Sequence, residues 1–236
     1  MKIYYIKYKT ILLISIIFIA LILLFISLNL NNNIETFKNK DNVYYKGNTN
    51  KNEVAFVCNV DWGEDLIPEM LKLFDEKDIK ITFFVTGKWA EKNPKLLLKM
   101  YNEGHEIGSH GYFHRNYGDL SYKVNYNEID KSDKIIKKII GKKPTLFAPP
   151  SGSYNKHTIN AASKLNYKVI MWSVDTIDWR KDSTKKVIVK RVLSKIDNGS
   201  IVLMHPKEET IKALPIIIDS IKKDNLQITT VSEVLQ

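Results

Sequence analysis

Three of the five histidines in this 236-residue chain follow apolar segments, where an imidazole could do acid–base or metal chemistry. His110 and His114 are four residues apart, a spacing that suits imidazole ligands of zinc, iron, cobalt or nickel. Any two histidines at this distance share that pattern, so the spacing alone is a weak signal. His205 ends the apolar run IVLM and could act as a general acid.

Acidic residues stand at comparable positions. Asp61 follows the apolar run VAFVC after only two residues, and Asp175 and Asp178 follow a run that ends at Trp172. A carboxylate near His205 could orient its imidazole and raise its pKa, as general-acid chemistry requires. Together with an acid, a third histidine and a glycine-containing loop at the same strand ends, His110 and His114 predict a metal site. His105 and His157, by contrast, are predicted to be ordinary surface or capping residues.

The elements that must position these side chains alternate between strands and helices from Val54 onward. A helix capped by Ser183 and running to Ile196 is among those predicted. The pattern predicts a mostly parallel sheet, and either a closed (β/α) barrel or an open doubly wound sheet fits it. In a barrel, all the polar strand ends would lie on one face. The seven predicted strands are Val54–Cys58, Ile81–Val85, His105–Gly108, Leu146–Ala148, Lys168–Trp172, Ser200–Met204 and Gln227–Thr230.

The composition excludes several other classes of protein. With 44% hydrophobic and 26% charged residues, the chain is expected to fold. The net charge of +10 suits an anionic partner, but the lysines are spread along the chain without interleaved aromatics, so no nucleic-acid partner is predicted. No glycine-rich phosphate loop follows the first strand. The single cysteine, Cys58, lies in an apolar run and is predicted to be an inert packed thiol.

The N-terminal region predicts a membrane anchor. Residues 11–28 carry no charge and are long enough to span a bilayer, and three lysines precede them. We therefore predict a cytoplasmic tail (1–10), a transmembrane signal-anchor (11–30), a linker (31–50) and an extracytoplasmic domain (51–236) of a single-pass cell-membrane protein. A cleaved signal peptide is the competing interpretation, although no A-x-A-like site follows the apolar stretch.

Four motifs in order resemble those of the polysaccharide deacetylase family, also called the NodB-homology domain or carbohydrate esterase family four. They are SHGYFH, FAPPSG, VDTIDW and IVLMH, spread over about 100 residues. The resemblance implies a distorted (β/α)7 barrel. It also implies metal-dependent removal of N- or O-acetyl groups from a cell-wall polysaccharide such as peptidoglycan, by a protein expected to be monomeric. The sequence DWGE resembles the sporulation-associated branch of that family.

The resemblance assigns roles to individual residues. It implies that His110 and His114 bind a divalent metal, with zinc the first candidate and cobalt, nickel or iron as alternatives. It implies that His205 is the general acid, with Asp178 as its orienting partner and Asp175 nearby. It places the backbone N–H of Ser151 at the oxyanion. The further residues that it places at the substrate are Asn59, Trp62, Pro149, Pro150 and Trp179.

The first motif departs from the family pattern. Aligned along the strand, Asn59 stands at the base acid and Val60 at the metal acid. Aligned on the glycine, Asp61 stands at the base and Trp62 at the metal acid. The arginine that pairs with the base is Ala148 here, and losing both partners together avoids an unpaired buried charge.

Two hypotheses follow from this departure. The one we predict first is an active deacetylase in which Asp61 serves as third metal ligand or base. The second is a glycan-binding pseudoenzyme that keeps the cleft and binds no metal.

Overall fold

The computed structural model describes residue 8, residues 16–22 and residues 42–236. The chain divides into two compact units, residues 1–36 and residues 37–236. Of the predicted anchor, residues 16–22 are described and helical, whereas 11–15 and 23–30 lie outside the described residues, as does most of the predicted tail. None of the helices within the described ranges is both long and apolar enough to cross a membrane.

The second unit alternates strands and helices, as predicted. Its strands are β1 (Val43–Tyr44), β2 (Glu53–Val60), β3 (Thr82–Val85), β4 (Glu106–Ser109), β5 (Leu146–Phe147), β6 (Lys168–Ile170), β7 (Val174–Asp175), β8 (Ile201–Met204) and β9 (Gln227–Thr229). Its helices are α1 (Ile67–Glu76), α2 (Gly87–Lys92), α3 (Pro94–Asn102), α4 (Tyr122–Ile140), α5 (Lys156–Lys164), α6 (Lys185–Leu193), α7 (Glu208–Lys223) and α8 (Val231–Val234).

The strands form one parallel sheet in the order β1-β6-β5-β4-β3-β2-β8-β7, with β9 paired to β2. The parallel strands form a half-barrel, intermediate between the closed barrel and the open sheet that the pattern allowed, and among the described strands β1 and β7 are its open ends. The seven predicted strands all form. The two additional strands have two residues each, too few for a periodic pattern to reveal them.

The segment that follows β1 covers part of the gap between β6 and β8. Lys46 forms an antiparallel bridge with Ser200, and the N–H of Gly47 donates to the carbonyl of Gly199 at 2.7 Å. Val43 is buried in the same region. Residues 42–50, which the sequence analysis placed in a linker, are therefore part of the sheet structure.

The sheet buries two apolar faces. Alternate residues of β2 pack outward against helices such as α1 and α7, and these are Val54, Phe56, Cys58 and Val60. The residues between them, including Ala55 and Val57, pack inward with Phe84 of β3 and Leu203 of β8. This alternation follows from the two-residue period of a strand. It fixes which side chain at each strand end faces the inside of the half-barrel. Cys58 is a free, buried thiol, as predicted.

His105 is not the surface or capping residue that the sequence suggested. It is 3% exposed and packs edge-on against the rings of Phe74 and Phe83. Its Nδ1 accepts a hydrogen bond from the N–H of Ile81 at 3.2 Å. Burial, and to a lesser degree the charge of Lys80, lowers its pKa to about 4. The ring is therefore neutral at physiological pH and serves the core at the strand end opposite to the candidate site.

Candidate active site

The carboxyl ends of the parallel strands bring the predicted polar residues to one end of the half-barrel. Cys58 of β2 pairs with Met204 of β8, so the next residues, Asn59 and His205, are neighbours on adjacent strands. His110 follows β4, and its backbone N–H donates to the carbonyl of Val85 on β3. Because β4, β3, β2 and β8 run parallel, His110 and His205 stand at the same end of the sheet.

His205 and Asp178 form a hydrogen-bonded pair, as the sequence predicted. Nδ1 of His205 lies 2.7 Å from Oδ1 of Asp178, whose side chain is fully buried. Oδ2 of the same carboxylate accepts from the backbone N–H of His205 and from the Thr210 hydroxyl, each at 2.7 Å. Burial would raise the pKa of Asp178, but these hydrogen bonds hold it below its usual value. The ionised carboxylate therefore fixes the imidazole, with Nε2 left free to act.

A strained turn delivers Asp178 to this pair. Ile177 has a φ of +51°, a left-handed conformation that a β-branched residue rarely adopts. The turn is held because Oδ1 of Asp175 accepts the N–H of Ile177 at 2.7 Å and Ser183 Oγ donates to the Ile177 carbonyl at 2.7 Å. Arg191 of α6 donates to the carbonyl of Thr176. Backbone strain kept in place by several partners is typical of functional sites.

Ser183 and Asp175 thus have roles that differ in detail from the predicted ones. Ser183 does not cap a helix; α6 begins at Lys185 with Thr184 at its N-cap and ends at Leu193. Burial raises the pKa of Asp175, and the N–H of Ile177 opposes that effect. Asp175 acts within the strained turn, two residues before the chain reaches Ile177 and three before Asp178.

The two histidines of the SHGYFH motif lie against each other. Their ring centroids are 5.0 Å apart and inclined by 67°. Nδ1 of His110 lies 2.7 Å from the carbonyl of Ala148, an arrangement in which Nδ1–H donates and Nε2 is left for a ligand. Burial, reinforced by the nearby His114, lowers the pKa of His110 to about 3. His110 is therefore a neutral imidazole, the form that binds metals.

The end of β2 lacks what a metal would need from it. Val60 is fully buried and packs in the outer core, away from the inner face. Asn59 is 6% exposed and occupies an inner-face position, and no hydrogen bond reaches its side-chain amide from the described residues. Asp61 lies just past the strand end, where its Oδ1 accepts from the Thr86 hydroxyl at 2.6 Å.

These donors do not fit a three-ligand metal centre. A catalytic divalent metal in proteins commonly takes three protein ligands, and His110 and His114 supply two imidazoles. Across residues 42–236, no three His, Cys, Asp or Glu side chains come together as a group that could hold a metal ion. The mismatch lies at β2, because Val60 is apolar and packs in the outer core, and Asp61 is not part of any such group among the described residues.

Aromatic rings border the candidate site. Trp62 is 40% exposed and lies nearly parallel to His205, with ring centroids 6.3 Å apart. Trp179, next to Asp178, is 60% exposed. The exposed indole of Trp179 leaves ring surface available for packing against a ligand. The Pro149–Pro150 turn leads to Ser151, which has a φ of +55° and lies at the surface.

Sequence reasoning missed several residues that hold this site together. Thr86 donates to Asp61, Thr210 donates to Asp178, and Arg191 anchors the strained turn. Thr86 follows β3 as directly as His205 follows β8, so an inventory of polar strand ends that included hydroxyls would have found it. Thr210 and Arg191 lie inside helices and gave no such signal.

Comparisons with known proteins agree with the motif resemblance. A family model described as polysaccharide deacetylase matches residues 46–170. The uncharacterized protein YlxY of Bacillus subtilis is 41% identical over 191 residues, which cover 81% of this chain and 60% of YlxY. A peptidoglycan-N-acetylglucosamine deacetylase of Bacillus cereus is 32% identical over 199 residues, 81% of this chain and 71% of that enzyme.

A solved structure with the same fold is the crystal structure of BA3943, described as a CE4 family pseudoenzyme from Bacillus anthracis. It matches with a TM-score of 0.80 and 34% identity over 82% of this chain and 69% of that chain. A mutant of BA3943 with restored enzymatic activity matches equally well, at 33% identity over 82% and 71% of the two chains. The TM-score is again 0.80.

The chain therefore spans 60% of the length of YlxY, the first of these relatives. The family model covers more than half of the 236 residues, and the Bacillus cereus deacetylase is matched over 71% of its length. The predicted resemblance is confirmed: this chain belongs to the polysaccharide deacetylase family, the CE4 hydrolases, whose deacetylases depend on a metal.

Proposed function

We propose that this protein binds the N-acetylated glycan of peptidoglycan in its cleft and that hydrolysis in this cleft is impaired. The observation that carries the proposal is the side-chain amide of Asn59, which is buried and lacks a hydrogen-bond partner among the described residues. An unsatisfied buried polar group costs about 1–3 kcal/mol, so such an amide favours a ligand that completes it. The acetamido group of an N-acetyl sugar offers both a donor and an acceptor.

The neighbouring residues suit the same ligand. His205 presents a fixed imidazole next to Asn59, and Trp179 offers an exposed indole beside Asp178. A sugar ring packs its C–H groups on an aromatic face while its hydroxyl and acetamido groups take the polar contacts. Recognition of an acetylated sugar therefore does not require the metal ligand that β2 fails to supply.

The comparisons support both halves of this proposal. A peptidoglycan-N-acetylglucosamine deacetylase is among the relatives, which supports the glycan. A CE4 pseudoenzyme is among the structural neighbours, which supports the loss of hydrolysis on an intact fold. We place the glycan-binding hypothesis before the active deacetylase because Val60 packs in the outer core and Asp61 forms no metal-binding group with the histidines among the described residues.

Binding to two forms of one glycan tests this proposal. The full chain is titrated with N-acetylated peptidoglycan strands and with the same strands after chemical N-deacetylation. We expect preferential binding of the acetylated form, unchanged by chelator, and about tenfold weaker binding for Asn59→Ala. Asn102→Ala, an exposed asparagine at the end of α3, is the control. Equal binding of both strands, or equal effects of both variants, would refute the proposal.

An active deacetylase that uses Asp61 is the second candidate function. The observation in its favour is the complete His205–Asp178–Thr210 arrangement, which a pure binding protein does not need. In that case His205 would protonate the leaving amine, and a divalent metal would polarise the acetyl carbonyl. Zinc, cobalt, nickel and iron are each to be added to the full chain, with acetate release from peptidoglycan as the readout. Release that disappears in Asp61→Ala would establish this alternative.

We propose, finally, that residues 11–30 anchor the protein in the cell membrane by a single pass, with the domain outside the cytoplasm. The uncharged stretch of residues 11–28 and the lysines before it support this arrangement. Protease added to intact cells should degrade the domain, whereas the protein should stay in the membrane fraction. Recovery of a shortened chain in the medium would indicate the cleaved signal peptide instead.

A further inference from the structure

Trp62 and Lys207 form a small assembly beside His205 that neither hypothesis of the sequence analysis used. The ammonium of Lys207 lies 4.6 Å from the centre of the Trp62 ring system, a cation–π distance. The Trp62 ring in turn lies nearly parallel to the imidazole of His205. One positive charge is therefore held at a defined place next to the cleft.

The backbone fixes this assembly from both sides. The N–H of Lys207 donates to the carbonyl of His205 at 2.8 Å, which closes a three-residue turn around Pro206. Gly63, with a φ of +88°, lies so close to this turn that an added Cβ would meet the Pro206 ring at 2.5 Å. Only glycine permits that approach, and it sets Trp62 against the turn that carries Lys207.

The ammonium of Lys207 is free to bind an anion. No ion pair between the described residues involves it, and the contact that its side chain makes among them is with Trp62. The two acids that follow Lys207 interact with other residues of α7 and α6. Glu209 accepts from Lys212 at 2.8 Å and from the N–H of Lys185, and Glu208 lies 3.9 Å from Lys212.

We propose that Lys207 binds a carboxylate of the glycan and that Trp62 is its positioning residue. The cleft then selects N-acetylated strands in which the sugar carries a carboxylate over neutral strands of the same length. A charge-assisted hydrogen bond from the ammonium to the carboxylate supplies the selectivity. The Trp62 indole restrains the lysine side chain in advance, so less rotamer entropy is lost on binding. This inference rests on the proposed glycan binding and names which glycan is preferred.

The test compares two probes on the full chain. One is a neutral N-acetylglucosamine hexamer, and the other is a peptide-free peptidoglycan hexamer, whose N-acetylmuramic acid residues each bear one carboxylate. We expect the acidic probe to bind about tenfold more tightly. Lys207→Gln should remove that preference by weakening the binding of the acidic probe far more than that of the neutral probe.

Three further variants separate this role from general effects. Lys223→Gln removes a charge from the exposed C-terminal end of α7 and should keep the preference. Trp62→Leu should reduce the ratio of the two affinities, and Trp62→Phe should restore most of it. A tenfold preference that survives Lys207→Gln, or that Lys223→Gln removes as well, would overturn the inference. Equal binding of both probes by the unmodified chain would also overturn it without touching the proposed function, whereas absence of binding to either probe would contradict the proposed function itself.

Discussion

The ends of two adjacent strands, β8 and β2, have opposite characters in this molecule. At the end of β8, His205 and Thr210 together make three hydrogen bonds to a fully buried Asp178. At the end of β2, one register step away, Asn59 is buried with no partner among the described residues and Val60 belongs to the outer core. The end of β8 thus has an oriented imidazole that can transfer a proton, whereas the end of β2 lacks a ligand for a metal centre.

This contrast indicates that the site was not lost as a whole. A buried carboxylate persists only where hydrogen bonds compensate its desolvation, and Asp178 has that compensation. At β2 the neutral Asn59 and the absence of the family's arginine at Ala148 avoid an uncompensated charge on both sides. The two strand ends can therefore be tested separately, and their responses to substitution should differ in size and in pH dependence.

The largest effect is expected at the complete end. Asp178→Ala leaves three buried donors without their acceptor, so it should lower the free energy of unfolding by about 3 kcal/mol. Urea denaturation followed by circular dichroism measures this. Asp182→Ala, which removes only an exposed partner of Arg180, is the control and should change nothing measurable. Similar values for the two variants would mean that Asp178 does not organise this end.

A smaller effect of opposite origin is expected at β2. Asn59→Asp introduces a buried carboxylate without a hydrogen-bond partner, and should lower the free energy of unfolding by about 2 kcal/mol at neutral pH. Adding Ala148→Arg should recover part of that loss, because the family pairs these two positions. Equilibrium unfolding of the single and double variants gives the coupling free energy. Simple additivity of the two substitutions would contradict the paired-loss explanation.

The two ends should also respond to pH with opposite signs. The pKa of Asp178 is held below its ordinary 3.8, so its contribution to stability is present above that pH and is lost as the pH falls through the lower folded value. The carboxyl that Asn59→Asp introduces would have a raised pKa, so its penalty should vanish as the pH falls below about 4. Unfolding midpoints of the wild type, Asp178→Asn and Asn59→Asp between pH 3 and 7 measure both trends. Parallel curves for the two variants would contradict this assignment of signs.

The smallest effect concerns the hydrogen bond between the Thr86 hydroxyl and the Asp61 carboxylate. Thr86→Val removes the hydroxyl that donates to Asp61 and caps α2, and should cost about 1 kcal/mol. Thr86→Ser keeps both bonds and should cost less. If Thr86→Val instead creates stoichiometric zinc binding by elemental analysis, Asp61 was restrained from coordination rather than misplaced for it.

Much of the fold could be predicted from the sequence because short apolar runs rich in β-branched and aromatic residues favour strands when turn residues bound them. The pairing of His205 with Asp178 was also predicted, since both stand in recognisable motifs. The open side of the half-barrel could not be predicted, because β1 and β7, which lie at its two edges, have only two residues each and their pairing depends on tertiary contacts. The partners Thr86 and Thr210 were missed because hydroxyls acquire a role only through tertiary proximity.

The side-chain directions of the first motif, at the end of β2, could not be predicted for a different reason. The sequence allowed two registers, and both left Asp61 available in principle. The structure shows the Val60 side chain in the outer core and the Asp61 carboxylate hydrogen-bonded to Thr86. Side-chain direction at a strand end is set by the strand's alternation and by neighbouring donors, and neither is visible in a single motif.

The most direct test of glycan binding with impaired hydrolysis measures both activities in the same sample. The full chain is titrated calorimetrically with N-acetylated peptidoglycan strands, with and without chelator, and acetate is assayed in the cell after each titration. For a glycan-binding protein with impaired hydrolysis, we expect saturable binding that chelator leaves unchanged and no acetate above background. Acetate that accumulates and disappears with chelator, or binding that chelator abolishes, would contradict it.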